Sequence, residues 1–503
     1  MANNLKKTKI VATVGPAVCQ KIWSFADYKD PKNAELVQKA HQLMEGIIKA
    51  GVNVIRFNFS HGTTEEQAVR AQMARAASEK LNTPISLLLD TKGPEIRVGK
   101  INNKECPITK GAIVVIEALK KIEGTSERFS VTDSTGKYNM ANDLKVGSLV
   151  LVDDGKLFLK VTGLDKAAGK ITCVAENAHV LKENKRINLP GAKYSMPFLS
   201  AKDQTDVKYA CAQKFDYIAA SFVNNAQNIR DIKKITKAAK SDIKIIAKIE
   251  STEAIKNLDA IIKESDGIMV ARGDLGIEIP YYEVPYYETY MIKQCRKFGK
   301  PCIVATQMLD SMERNLLATR AEVTDVWYSV TKGTDATMTS GETAQGLFPV
   351  ETISTMTKIN QAAELTFNYD RSIKNFNKSL FKGESSTIAL AIAKKTAPTN
   401  QKTVKAVFPY ELVVLFNDND QVIKAVSNIR PGAHVIVVTD QKDQYTKYGT
   451  YYGVTTYLVG SLSAVSKDQK ELKTTFNKIV KQYAVGSKKA IAYVNKKFVT
   501  FTK

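Results

Sequence analysis

Lys248 and Glu250 stand two positions apart at the end of the apolar run 243–249, and Asp274 follows a second such run at 267–271. On a β-strand, residues i and i+2 point to the same side, so the lysine and the carboxylate face one way. Burying such charges is costly unless they meet each other or a metal ion. By itself the pair reads as a buried salt bridge or as part of an ion site. Asp274 supplies the second carboxylate that a Mg²⁺ site uses, with substrate oxygens completing the shell. It lies in Arg272-Gly273-Asp274-Leu275-Gly276. Glycines at a helix start would leave backbone N–H groups free to receive an anion, although a plain turn gives the same text.

A second set accompanies the first. Arg56, Asn58 and Ser60 alternate on one side of an extended run, and Arg97 adds a second guanidinium. Arginine suits phosphate through its bidentate fork. Asn58, Ser60, Asp90 and the backbone of Thr91 are hard oxygen donors of the kind that hold a monovalent cation, or that form a hydrogen-bonded polar layer over a barrel. No G-x-x-x-x-G-K-[ST] loop occurs, so any nucleotide is held without a P-loop.

These residues need a frame that brings distant strand ends together. Short β-branched runs at 9–14, 52–57, 85–89, 217–220, 243–249, 267–271, 302–305 and 336–339 alternate with helix-length segments. Near-continuous apolar strands with intervening helices signal a parallel sheet covered on both faces. Eight such units predict an α/β fold of the (β/α)8 TIM-barrel type, whose active residues follow the strands' C-terminal ends. Seven of the eight ends carry polar or charged groups, including Ser221, Thr306 and Ser340-Gly341-Glu342. The rhythm breaks between the third and fourth strands. Strands are expected at 112–117, 149–153, 156–161 and 170–176, with Asp154-Gly155 as a hairpin turn, so a small all-β barrel is inserted there as a lid. After about residue 365 the text alternates again, with a helix at 385–396 and strands near 404–407, 412–416, 435–439, 455–459 and 489–494. This predicts a C-terminal open α/β domain. The expected division is 1–94 and 189–365 for the barrel, 95–188 for the lid, and 366–503 for the last domain.

Composition restricts the possibilities. The chain has 503 residues, 44% of them apolar and 25% charged, which suits several globular domains. Its net charge of +22 is scattered along the length without a basic tail or nucleic-acid motif, so a nucleic-acid role is not expected. Six cysteines without a C-x-x-C pair predict free thiols rather than a disulfide framework. No leader-like or membrane-spanning run occurs, and a cytoplasmic location is expected.

Eight blocks together resemble the signatures of pyruvate kinase: 8–16 (TKIVATVGP), 53–62 (NVIRFNFSHG), 90–97 (DTKGPEIR), 246–250 (IAKIE), 269–276 (MVARGDLG), 303–312 (IVATQMLDSM), 319–322 (TRAE) and 340–344 (SGETA). The resemblance implies phosphoryl transfer from phosphoenolpyruvate to ADP, giving pyruvate and ATP in the last step of glycolysis. It implies Glu250 and Asp274 as ligands of Mg²⁺ or Mn²⁺. Lys248 is the implied cation on the transferring group, and Asn58, Ser60, Asp90 and Thr91 the implied K⁺ ligands. Arg56 would contact phosphate and ADP, with Arg97 at the substrate and His61 and Lys185 at the nucleotide. Thr306 would sit near the substrate's methylene carbon, the Gly273-Asp274 backbone would hold its carboxylate, and Ser340 and Glu342 would belong to the proton-delivery network. Glu95 goes with K⁺ dependence, and a homotetramer is the family habit. A barrel lyase acting on pyruvate or phosphoenolpyruvate, or a degenerate kinase that only binds, are the alternative readings.

The chain departs from the family pattern in several places. Residues 14–34 are longer than usual, Val18 replaces a small hydroxyl residue, Arg186 stands where glycine is usual, and Asn224 replaces a basic residue. None of these is expected to touch the metal ligands. The sugar-phosphate effector loop of many members is replaced by 416–421 (FNDNDQ), where Asp418 and Asp420 would repel phosphate, so activation by fructose 1,6-bisphosphate is not expected.

Overall fold

The structure is a computed structural model that describes residues 5–399, 406–483, 485–486 and 489–501. Eight parallel strands close into a barrel: Lys9–Thr13, Val54–Asn58, Ser86–Asp90, Tyr217–Ala220, Lys244–Ile249, Gly267–Ala271, Cys302–Ala305 and Ala336–Thr339. Side chains alternate across each strand. One set, including Val11, Val54, Leu88, Ile246, Met269 and Ile303, fills the barrel interior. The other, including Ile10, Ile55, Leu87, Ile245 and Val304, packs under the surrounding helices. This double burial explains why the strands read as continuous apolar runs.

Local chemistry sets the helix ends. Helix Ala34–Ala50 buries Ala40, Met44, Ile47 and Ile48 and stops at Gly51, whose φ of 126° no side chain tolerates easily. Thr319 and Glu322 form a reciprocal capping box at the start of helix Arg320–Lys332. The 319–322 block is therefore a helix-start device as well as a family signature. The ends of the first and eighth strands meet at Gly15, where an added Cβ would lie 2.4 Å from the Ala344 carbonyl oxygen. The long segment after Val14 folds into short helices Pro16–Cys19 and Phe25–Lys29, with Val18 fully buried.

The inserted unit is a second closed barrel. Its order is Lys170–Ala175, Ile113–Glu117, Arg128–Asp133, Ile96–Val98, Arg186–Asn188, Leu149–Val152 and Leu157–Asp165. A separate ribbon pairs Glu105–Ile108 with His179–Lys182. The sequence predicted four of these strands. The others escaped because several are only three or four residues long and carry charged or proline residues on their open faces. The 153–156 hairpin tip uses positive φ at Asp153, Asp154 and Gly155.

The last domain has a five-stranded sheet in the order Val454–Leu458, His434–Thr439, Leu412–Leu415, Ala490–Val494 and Lys497–Val499, the last strand antiparallel. Helices Glu384–Thr396 and Asp420–Ile429 cover one face and Gln469–Gln482 the other. The strand expected at 404–407 is corrected in part: residues 404 and 405 lie outside the described residues, and Ala406 and Val407 are in no strand. This domain docks beneath the barrel, at the strands' N-terminal ends. There Arg430 pairs with Asp335 at 2.9 Å, and Thr446 donates to Asp216 at 2.5 Å. The opposite, C-terminal end of the barrel is left to the lid. All six cysteines are free and buried.

Candidate active site

The second and third strands run in register with Asn58 beside Asp90 and Arg56 beside Leu88. This pairing draws the phosphate-type and cation-type residues into one network. The Asp90 carboxylate accepts from Arg56 Nε at 2.7 Å and from Arg56 Nη2, while Arg56 Nη1 donates to Thr13 Oγ1 at 2.7 Å. Its other oxygen accepts from Lys248 Nζ at 3.1 Å and lies 3.2 Å from Ser221 Oγ. Burial works against the Asp90 charge, but Arg56 and Lys248 outweigh it and hold the carboxyl below its ordinary range. Asn58 Oδ1 accepts from the Ser60 backbone N–H at 3.1 Å, and the Thr91 carbonyl accepts from Ser221 Oγ at 2.7 Å. The four candidate K⁺ donors thus lie on adjoining strand ends and the turns that follow them.

Lys248 is the hub. Besides Asp90 it donates to Ser221 Oγ at 2.7 Å and lies 3.0 Å from Glu250 Oε1. Burial would lower its pKa, yet Asp90 and Glu250 keep it above the ordinary value, so it is a fixed cation. Glu250 is buried, and its Oε2 accepts from the Phe222 N–H at 2.6 Å. Its Oε1 is an ion-pair neighbour of Lys248 but receives no hydrogen bond. Burial, with the nearby Asp274 charge adding to it, raises the Glu250 carboxyl despite Lys248. A buried carboxylate oxygen without a donor, next to a second carboxylate, fits a hard divalent cation. No group of three or more His, Cys, Asp and Glu side chains forms a metal cluster among the described residues, so substrate and water oxygens would complete the shell.

Lys248 and Asp274 line a cavity of about 300 Å³ under the lid, together with Arg56, Asn58, Ser60 and His61. Burial and the Arg97 charge lower the His61 pKa. Lys185 and Arg97 reach this cavity from the lid side; Lys185 pairs with Asp153 at 2.9 Å, and Arg97 with Glu95 at 2.8 Å. Asp274 also lines an adjoining cleft of about 910 Å³ that contains Gly273 and Thr306.

Thr306 adopts φ 72°, a costly conformation for a β-branched residue, about 1–3 kcal/mol. Three bonds secure it. Its Oγ1 donates to the Ala305 carbonyl at 2.6 Å and accepts from Gly273 N–H at 2.7 Å, and its own carbonyl accepts from Arg272 Nη2 at 2.7 Å. The Gly273 N–H, expected to meet the substrate carboxylate, is therefore engaged by Thr306. Arg272 is itself braced by Asp325 at 2.6 Å and Glu288 at 3.3 Å. Ser340 and Glu342 follow the eighth strand, three strands around the barrel from the one that carries Lys248. Both Glu342 oxygens accept backbone N–H groups, from Ser340 at 2.6 Å and Leu309 at 3.1 Å, and they tie the eighth strand's end to the loop after the seventh.

Ser221, Arg272 and Arg186 had no assigned role in the sequence. For Ser221 the signal was its place at the fourth strand's end. For Arg186 the expectation must be corrected: this departure does touch a candidate metal ligand, because its guanidinium forms an ion pair with Asp274.

The family model described as pyruvate kinase, barrel domain, matches residues 5–353. The chain belongs to the pyruvate kinase family. Pyruvate kinase of Mycoplasma pneumoniae is 47% identical over 489 residues, covering 96% of each chain. That of Mycoplasma genitalium is 47% identical over 463 residues, covering 91% of each. A solved pyruvate kinase from Cryptosporidium parvum superposes with a TM-score of 0.83 at 30% identity, covering 99% of this chain and 97% of that one. The barrel, the small inserted barrel and the C-terminal α/β domain are the pyruvate kinase architecture, and the enzyme is a phosphotransferase.

Proposed function

We propose that the enzyme transfers the phosphoryl group of phosphoenolpyruvate to ADP, giving pyruvate and ATP, with Mg²⁺ or Mn²⁺ and K⁺ as its cations, as the last step of glycolysis in the cytoplasm. The observation that carries this reading is the fixed cation Lys248, held between Asp90 and Glu250 at the mouth of the barrel. Glu250 and Asp274 would hold the divalent ion, and Asn58, Ser60, Asp90 and Thr91 the K⁺. When bound, these ions neutralise phosphoryl oxygens and draw the two polyanions together.

The chain's own groups supply the rest. Lys248 faces the transferring phosphoryl group, and Arg56 holds phosphate from the second strand. A bond forms between phosphorus and the terminal ADP oxygen as the bond to the enolic oxygen breaks. The enolate left behind takes a proton on its methylene carbon, where Thr306 and its bonded neighbours hold the face, with Ser340 and Glu342 assigned to the proton path. Arg97, His61 and Lys185 border the cavity where the nucleotide would enter.

Tyr281, Tyr282 and Tyr286 are 78%, 71% and 67% exposed, and Leu317 is 78% exposed. Apolar exposure on this scale supports self-association, proposed here as a homotetramer. ATP formation from phosphoenolpyruvate and ADP, with and without Mg²⁺ and K⁺, tests the reaction. A lyase would consume phosphoenolpyruvate without making ATP, and a binding-only protein would turn over neither substrate. Sedimentation velocity tests the assembly.

A further inference from the structure

Arg186 lies on the lid strand Arg186–Asn188, and its guanidinium crosses the cavity to the barrel. It pairs with Asp274 through Nη1, keeps Nε 4.0 Å from Glu95 Oε1, and stacks 4.6 Å from the centre of the Phe222 ring. Among the described residues, this is the only ion pair joining a lid side chain to a barrel side chain. The side chain is 17% exposed, so the contact is made largely out of water. Asp274 is thereby supplied with a cation, and Glu250 Oε1, 3.0 Å from the Lys248 ammonium, receives no hydrogen bond.

A divalent ion on Asp274 and Glu250 would meet the guanidinium at the same carboxylate. Two cations cannot share that oxygen without strong repulsion. We propose that Arg186 is a resident cation, carried by the lid, that holds Asp274 until a divalent metal ion displaces it, so that metal binding and release of the lid from the barrel are one event. This rests on the reading of Glu250 and Asp274 as the metal ligands. Arg186 is a positioning residue: it acts through Asp274. A substrate phosphate placed beside the freed guanidinium would draw it further from the carboxylate.

The consequence is a penalty on metal affinity. If the free enzyme holds Asp274 in the arginine pair nine times in ten, the apparent metal Kd rises about tenfold over its intrinsic value. Mn²⁺ titrated by calorimetry into the full-length enzyme without substrates reads this directly. R186A is expected to bind Mn²⁺ about tenfold more tightly than wild type, and R186K, which keeps a cation but not the fork, to fall between. Proteolysis at the lid connections, around 92–95 and 188–191, gives a second readout. Mn²⁺ should speed cleavage of wild type, whereas R186A should be cut quickly with or without metal. If R186A does not fold, R186Q, which keeps an uncharged planar head group on a shorter stem, carries the same test. Unchanged or weaker Mn²⁺ binding in the arginine variants overturns the proposal, as does cleavage of wild type that ignores Mn²⁺. D274N separates the two layers: if it binds Mn²⁺ as well as wild type, the metal reading itself fails.

Discussion

Replacing Lys248 by methionine removes a cation but keeps most of the side-chain volume. In the folded enzyme Nζ lies 3.1 Å from Asp90 and 3.0 Å from Glu250. At an effective dielectric near 20, each contact amounts to about 5 kcal/mol of gross attraction. Much of this is offset by desolvation, since the side chain is only 11% exposed. Asp90 keeps Arg56 after the change, whereas Glu250 loses its nearest cation. Breaking a buried pair this way costs about 3–5 kcal/mol of stability. Protonation of Glu250 would recover part of it. The chemical step loses its fixed cation on the phosphoryl group, and kcat should fall at least ~10³-fold, which is about 4 kcal/mol. The assay is pyruvate release at saturating phosphoenolpyruvate, ADP, Mg²⁺ and K⁺, alongside a thermal melt of the same sample. The double variant K248M/E250Q should melt above K248M, because the orphaned carboxylate is gone, yet stay equally inactive. A folded K248M with turnover within tenfold of wild type would remove Lys248 from the mechanism.

Arg272→Lys keeps the charge but loses the fork that spans Ala305, Thr306, Glu288 and Asp325; turnover should drop about 10²-fold through misplacement of Thr306, and an unchanged kcat would refute that bracing role. Burial pushes the Asp216 carboxyl up to about 7, so the folded state binds the extra proton between the unfolded value and about 7, and the stability this lends is present at low pH and lost as pH rises through about 7. The melting temperature of D216N relative to wild type should therefore climb between about pH 4 and about pH 7 and level off above that, whereas parallel profiles would contradict the assignment. Replacing K⁺ by a bulky organic cation at saturating Mg²⁺ should depress activity, and equal rates would sink the K⁺ site. Fructose 1,6-bisphosphate should leave the rate curve unchanged: Asp420, held at about 2 against its burial by Lys424, Tyr448 and Lys447, and Asn419, which caps Gln421 and Val422, occupy that helix start. A sigmoidal-to-hyperbolic shift would show otherwise.

The barrel was legible because its strands are buried on both faces and its polar residues cluster where the apolar runs end. Lys248, Glu250 and Asp274 could be found from that rule alone. The lid was half legible. Leu157–Asp165 alternates buried and exposed positions clearly, but Ile96–Val98 and Arg186–Asn188 are too short for any period to emerge. Contacts between distant segments left no mark at all. Arg186 meets Asp274 across 88 positions, and its type suggested only a departure from a glycine. The buried Arg430 and the largely buried Arg272 likewise look like surface arginines until their partners fold around them.

The order of strands around the main barrel has a consequence for synthesis. Lys9 pairs with Ala336, and Leu88 waits for Tyr217 beyond the entire lid. At about 5–20 residues per second, the ribosome needs roughly 16–65 s to make the intervening stretch from the first strand to the eighth. The lid has its own closed sheet and its own core, and can mature within that interval. The first three barrel strands cannot. They emerge as apolar edges whose last neighbours have yet to be translated, so the nascent chain carries its greatest exposure to misassociation while the lid is already formed.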